Sequence, residues 1–352
     1  MTKCRQRKWL ISSSDNPKSA IQNPKWRGPV TFALALVLCG AVAQGQQPGK
    51  ILRIGFLDGG TAAGMALLVK VFLDELSKLG WIEGKNFTIE YRFVEGKGAE
   101  RRDELAADLV RLKVDLIVVA GTGPATAVKN ATTTIPIVMV AVGDAVGEGL
   151  VASLARPGGN VTGFSSLAPE LNTKRLEILK DAVPKLLRVG ILRLGVGAIA
   201  EDLQLKELRF AASHLKLKLE EIETQVDAKG LESAFKTAKQ KQVEAIMTTA
   251  TRAFFSERKR IVELATKYRL PAIYVSKEFV DEGGLMSYGA DWDDLLRGAA
   301  GYVDKIFKGA KPADLPVQQA GKFAFVINLK AAKQIGHTMP VQLLERANRV
   351  IK

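Results

Sequence analysis

The sequence predicts an α/β protein built as two similar lobes, each a parallel sheet covered by helices. Two observations carry that prediction. The phrase Leu52-Arg53-Ile54-Gly55-Phe56-Leu57 returns 135 positions later as Leu187-Arg188-Val189-Gly190-Ile191-Leu192. Ile135-Pro136, ahead of the apolar run Ile137 to Val140, returns at the same offset as Leu270-Pro271 ahead of Ala272 to Val275. Two landmarks at one offset indicate two copies of one β/α unit. The chain of 352 residues exceeds what one core usually supports, and its apolar content of 47% can fill two.

In chain order, the first feature is a leader. Lys3, Arg5, Arg7, Lys8, Lys18, Lys25 and Arg27 precede an apolar run from Val30 to Val42 that reaches Ala41-Val42-Ala43. A basic start, about 13 apolar residues and an Ala-x-Ala site read as a secretory signal peptide over 1–43, because a membrane-spanning helix needs about 20 residues. Leu38 stands before Cys39 where a lipidated cysteine needs a small residue, which argues against a lipid anchor. Cys4 and Cys39 both leave with this leader, so the mature chain has no disulfide and no cysteine-ligated metal. The leader carries seven basic residues and one acidic, so 51 basic and 37 acidic become 44 and 36, a balance of +8 in place of +14. The remaining basic residues interleave with Glu and Asp and form no aromatic-flanked stripe; they read as solvated helix faces rather than a nucleic-acid surface.

Residues 44–50 form a polar linker. The first copy follows: a strand over Leu52 to Leu57, a turn at Gly59-Gly60, a helix with Leu68, Val71, Phe72, Leu76 and Leu79 on one face, and a strand over Phe87 to Phe93. A helix marked by Leu105, Leu109 and Leu112, a strand over Asp115 to Ala120, a short helix over Thr122 to Asn130 and a strand over Ile137 to Val140 complete it. Near-continuous apolar strands alternating with helices imply a parallel sheet covered on both faces. The Pro- and Gly-rich stretch Arg156 to Gly163 cannot continue a helix, and Phe164 to Ser166 is a candidate crossover. The second copy has strands at Val189 to Leu192, Leu217 to Ile222, Ala245 to Thr249 and Ala272 to Val275, with helix stripes between them. A strand over Leu285 to Tyr288, a helix from Leu295 to Phe307, and a strand and helix from Phe323 to Ile335 extend beyond it and are expected to cross between lobes again. The domains expected are 51–164 with about 290–316, and 165–289 with about 317–352.

Several chemistries are missing. Neither histidine, His214 or His337, sits at a strand end, and no Gly-x-Ser-x-Gly elbow, Walker A sequence or Gly-x-Gly-x-x-Gly pattern occurs. Asn160-Val161-Thr162 matches a glycosylation sequon but reads as structural in so tight a turn. No catalytic residue, metal or cofactor is therefore assigned. What remains is the polar residues at the carboxyl ends of strands, where open α/β sheets bind ligands beside free helix N–H groups. In the first lobe this rule selects Asp58, Gly60, Thr61, Gly121, Thr122, Gly143 and Asp144, and in the second Gly195, Thr249, Thr251, Arg252, Tyr274 and Ser276. Each Thr is alternatively a plain helix cap, and Asp144 and Arg252 are alternatively solvated loop charges.

With this layout in view, the chain resembles the ABC transporter substrate-binding proteins of the tryptophan-binding TrpX-like group, a branch of the periplasmic binding proteins. The resemblance rests on Glu83-Gly84-Lys85-Asn86 with Ile89 to Arg92, Leu105 to Leu112 leading to Val114-Asp115, Thr134 to Val138, Gly149 to Gly163, Gly283 to Gly289 and Lys308 to Pro316. It implies a type I periplasmic binding protein-like fold, two Rossmann-like lobes joined by a multi-crossing hinge that closes on a small solute. It also implies export to the periplasm, a monomer, and delivery to an inner-membrane permease driven by a cytoplasmic ATPase. The chain departs from the group at Arg193-Leu194-Gly195, where relatives often carry Asn-Pro, and at Thr249-Ala250-Thr251-Arg252, which lacks a proline common there. An amino acid or related carboxylate would place its carboxylate near Thr61 and Thr122, its ammonium near Asp144 or Asp291, and its side chain on Phe164, Tyr274 or Tyr288. Those three rings are alternatively core or hinge packing. Ser165, at the crossover, completes the ligand-binding set. Two other readings stay open: an exported α/β enzyme, which would need a nucleophile and base within reach, and a sensory module for a similar solute.

Overall fold

The computed structural model describes residues 50–195 and 199–352; the signal peptide expected over 1–43 and both cysteines lie outside the described residues. The first copy folds as β1 (Leu52–Asp58), α1 (Ala62–Lys78), β2 (Phe87–Phe93), α2 (Gly98–Arg111), β3 (Leu116–Ala120), α3 (Thr122–Ala131), β4 (Ile137–Val142) and β5 (Val161–Ser165). The chain then forms α4 (Ala168–Ala182), β6 (Arg188–Arg193), α5 (Ile199–His214), β7 (Lys218–Glu223), α6 (Ala228–Gln240), β8 (Ala245–Thr248) and the short α7 (Arg252–Ser256). After these come α8 (Arg258–Lys267), β9 (Ala272–Tyr274), α9 (Lys277–Asp281), β10 (Met286–Ala290) and α10 (Trp292–Phe307). The C-terminal part holds β11 (Gln318–Gln319), β12 (Phe323–Asn328), α11 (Leu329–Ile335), α12 (Val341–Arg346) and β13 (Arg349–Ile351).

These strands form two sheets, ordered β11-β5-β4-β3-β1-β2 and β13-β12-β10-β9-β8-β6-β7. Every pairing in the first is parallel, and in the second only β10 with β12 is antiparallel. The strands read as continuous apolar runs for this reason: β3 is buried at all five positions, covered on both faces. Phe164 belongs to β5 of the first sheet, so the chain first leaves that lobe after Ser165, through Leu167 in the left-handed region at φ 57°.

Two further crossings follow. β10 ends the chain's first stay in the second sheet at Ala290, α10 then packs on α1, β4 and β5, and the return to β12 comes after β11, a strand of the first sheet. The second and third crossings run together, since Asp291 N donates to the Lys322 carbonyl at 2.9 Å. Asn160 Nδ2 donates to the carbonyls of Thr132 and Ile135 at 3.1 and 2.8 Å, a structural role for the sequon asparagine.

Candidate ligand-binding cleft

The carboxyl ends of β1 and β3 meet the segment after β8 across the seam between the lobes. Asp58 is wholly buried and lies in an ion pair with Arg252, Nη2 to Oδ2 2.7 Å, although 194 residues separate them. Asp58 Oδ1 also accepts from Gly60 N at 2.8 Å, which turns the backbone sharply into α1. Arg252 is only 7% exposed, with its guanidinium 4.8 Å from the Trp292 ring and 5.6 Å from Phe255. It is thus a docked side chain rather than a solvated loop charge. Thr61 caps α1 by accepting from Gly64 N at 3.0 Å, and its backbone N–H reaches across to Ser256 Oγ at 2.9 Å. Thr251 caps α7 in the same way, accepting from Phe254 N at 3.2 Å.

A second cluster lies on the first lobe. Thr122 Oγ1 accepts from Gly143 N at 3.0 Å, and Ser165 Oγ donates to the Gly143 carbonyl at 2.8 Å, so one glycine ties the ends of β3, β4 and β5. A register shift in β4, with Ala141 at φ 53°, re-aims this turn out of the sheet. Asp144 Oδ1 accepts from Val146 N and Gly147 N at 3.0 and 2.9 Å and so closes its own loop. Glu148 stands beside it, and burial, with Asp144 adding to it, pushes the Glu148 carboxyl up to about 7. The fold therefore favours protonated Glu148. Its contribution to stability is fully present below the ordinary value near 4.5 and is lost as pH rises through 7. Urea midpoints at pH 5 and 7.5 are expected to fall with pH in the parent and to change less in Glu148→Gln; equal changes would remove Glu148 as the source.

Of the other sequence-selected residues, Gly121 lies at this seam and the rest are placed apart from it. Thr249 is buried and donates to Glu201, whose carboxylate also accepts from Leu194 N at 3.0 Å. Tyr274 is 1% exposed, stacked on Phe279 at 4.8 Å, and burial pushes its hydroxyl well above the ordinary range. Phe164 packs on Tyr302 at 4.9 Å in the first lobe, so both rings take the core role that their positions left open. Ser276 is buried next to Glu278, whose carboxyl is raised chiefly by burial. Tyr288 stacks on Phe323, and Asp291 caps α10 and pairs with Lys277 at 3.2 Å; both belong to the crossings. Gly121 takes φ 90° and faces the Arg252 stem. His214 rests on the Phe210 ring, and burial pulls His337 below the ordinary imidazole range. Among the described residues, no group of three or more His, Cys, Asp or Glu side chains is arranged for a metal, and no helix is long and apolar enough to cross a membrane.

Sequence comparison matches residues 61–351 to the ABC transporter substrate binding protein family. The chain belongs to that family. As one of these substrate-binding proteins it captures a small-molecule solute for an ABC transporter, and proteins of the family work outside the cytoplasmic membrane. It is 26% identical over 266 residues to a tyrosine-binding protein of Clostridioides difficile strain R20291, covering 76% of this chain and 75% of that one. Its fold superposes on an ABC domain from Streptococcus pneumonia in complex with L-Trp, TM-score 0.75, 28% identity, over 86% of this chain and all of the other. A conserved domain protein from Vibrio cholerae O1 biovar El Tor gives TM-score 0.77 at 29% identity, with the same coverage. The TrpX-like resemblance and the two-lobed α/β fold are both borne out.

Proposed function

We propose that this substrate-binding protein captures an amino acid with an aromatic side chain at the seam between the two sheets, binds it without chemical change, and hands it to a membrane permease. The observation that carries the reading is the meeting of two helix starts there. The 17-residue α1, opening at Thr61, and the 10-residue α3, opening at Gly121-Thr122, both begin where the Arg252 segment arrives. The positive ends of two helix dipoles favour a carboxylate. Thr61 and Thr122 accept through oxygen from Gly64 and Gly143, which leaves each O–H free in direction to donate. The Asp144 carboxylate stands on the same rim as Thr122 and offers the opposite charge to an ammonium, with the Glu148 carboxyl beside it. The names of the Clostridioides and Streptococcus relatives supply the aromatic class.

The test is calorimetric titration of the L-amino acids and of the matching amines and acids. Tight binding is expected for an aromatic amino acid and not for the amine that lacks its carboxylate. Thr122→Val and Asp144→Ala should each weaken that ligand about tenfold, the worth of one hydrogen bond or charge contact. If both leave affinity unchanged, the site lies elsewhere. Recovery of a chemically altered ligand after incubation would replace binding by enzymatic turnover.

A further inference from the structure

We infer that the first lobe carries a glycine-lined seat for α7 which forms as the lobes close and is locked by the Asp58–Arg252 pair. Gly59, Gly60, Gly64 and Gly121 all belong to the first lobe, and all face one short helix of the second. A Cβ on Gly64 would stand 2.7 Å from Ser256 Cα, on Gly121 2.9 Å from Arg252 Cγ and on Gly59 3.3 Å from Arg252 Cβ; on Gly60 it would overlap Ser256 Oγ. Polar contacts complete the fit. Thr61 N donates to Ser256 Oγ at 2.9 Å, Arg258 Nη1 donates to the Gly64 carbonyl at 3.0 Å, and Arg252 reaches Asp58.

Nothing inside the first lobe asks for Gly64. It occupies the first turn of α1, where alanine would favour the helix by up to about 1 kcal/mol, and the nearest obstacle to a side chain is backbone of the other lobe. The glycine therefore serves the approach of α7. The chemistry of the lock fits a contact that must also open. An apolar seal of equal area would hold the lobes together permanently, whereas Asp58 and Arg252 regain full hydration when separated, which offsets much of what their pairing contributes. The aromatic contact of Phe255 with Trp292, ring centroids 4.6 Å apart, lies one residue past the Asp291 crossing, near the hinge, where opening separates groups least.

The seat needs no ligand for its test, so its outcome is independent of the amino-acid reading. Donor and acceptor dyes go on Lys70→Cys of α1 and Lys236→Cys of α6, both exposed, in the chain with Cys4 and Cys39 changed to serine. Without ligand, the parent should show a short-distance population. Gly64→Ala and Asp58→Asn should each shift the ratio of short to long distances at least tenfold toward long, while the unfolding midpoint of Gly64→Ala stays level or rises. The double variant Asp58→Leu/Arg252→Met should recover short distances relative to Asp58→Asn, since it removes both charges together. A parent without the short population, a Gly64→Ala variant that retains it, or one whose midpoint falls would each overturn the proposal; the last would make the seat permanent scaffold.

Discussion

Gly163→Ala and Gly289→Ala are expected to be the most damaging single-methyl changes in the chain, each costing more than about 4 kcal/mol of folding stability. Gly163 pairs with Met139 across β4 and β5 and takes φ 134°, a region essentially closed to other residues. A Cβ there would overlap the Met139 carbonyl oxygen and stand 2.6 Å from the Met139 nitrogen, all backbone atoms that no rotamer change can move. Gly289 has the same problem at the end of β10, where a Cβ would overlap the Val275 carbonyl oxygen and stand 2.9 Å from its carbon. Either methyl must push two bonded strands apart and break the ladder. Gly80→Ala is the control. It also has positive φ, at 90°, but open space around it, and should cost only about 1 kcal/mol. Urea unfolding followed by far-UV circular dichroism checks this; if Gly163→Ala unfolds within about 1 kcal/mol of Gly80→Ala, close backbone approach is not what the residue provides. Each glycine sits on the last strand before the chain changes lobes, so both fix the geometry of a crossing.

The 135-residue repeat made the two sheets legible because a β/α unit needs the same apolar spacing wherever it occurs, and the strand positions of both copies follow from it. Elements outside the repeat were harder. α4 carries helical spacing at Leu171, Leu176 and Leu179 but has no counterpart to match, while α7 and β13 are too short for periodicity to mark. The seam was half legible. The rule of strand ends selects Asp58, Thr61, Gly121, Thr122, Arg252 and Gly143 from the sequence alone, because parallel sheets direct loops and helix starts to one edge. The pairing of Asp58 with Arg252 was not, since a contact across 194 residues leaves no local trace in one sequence. One signal does survive. At the repeat offset, Gly59, Gly64 and Gly121 correspond to Leu194, Ile199 and Ser256, so three of the seat glycines exist in one copy only.

Arg175→Met should remove about 3 kcal/mol of stability and lower the melting temperature by about 5 °C, the largest loss expected from any buried polar side chain here. Arg175 is 2% exposed, and no carboxylate lies among the partners it bonds. Its Nη1 donates to the Tyr288 carbonyl at 3.0 Å, and Nη2 donates to the Ala168 carbonyl at 3.3 Å and to Asn172 Oδ1. Ala168 follows the first crossing and Tyr288 precedes the second, so one guanidinium holds both. Asn172 continues the chain of bonds to Gln204 at 3.2 Å, and Gln204 accepts from Ala250 N at 2.7 Å, in the loop that leads to α7. Burial pulls Arg175 down to about 9, which still leaves it charged at neutral pH. Methionine keeps much of the stem's volume and removes the buried charge, which is a gain. It also strips the donated bonds from the Tyr288 carbonyl and the Asn172 amide oxygen, and each buried acceptor left unsatisfied costs about 1–3 kcal/mol, so the loss outweighs the gain. Arg175→Lys should fall between, because a single ammonium cannot span carbonyls that the planar fork reaches together. A methionine variant that melts with the parent would mean that desolvating the cation costs as much as its bonds return, and the crossings would then owe their geometry to the backbone contacts at Gly163 and Gly289.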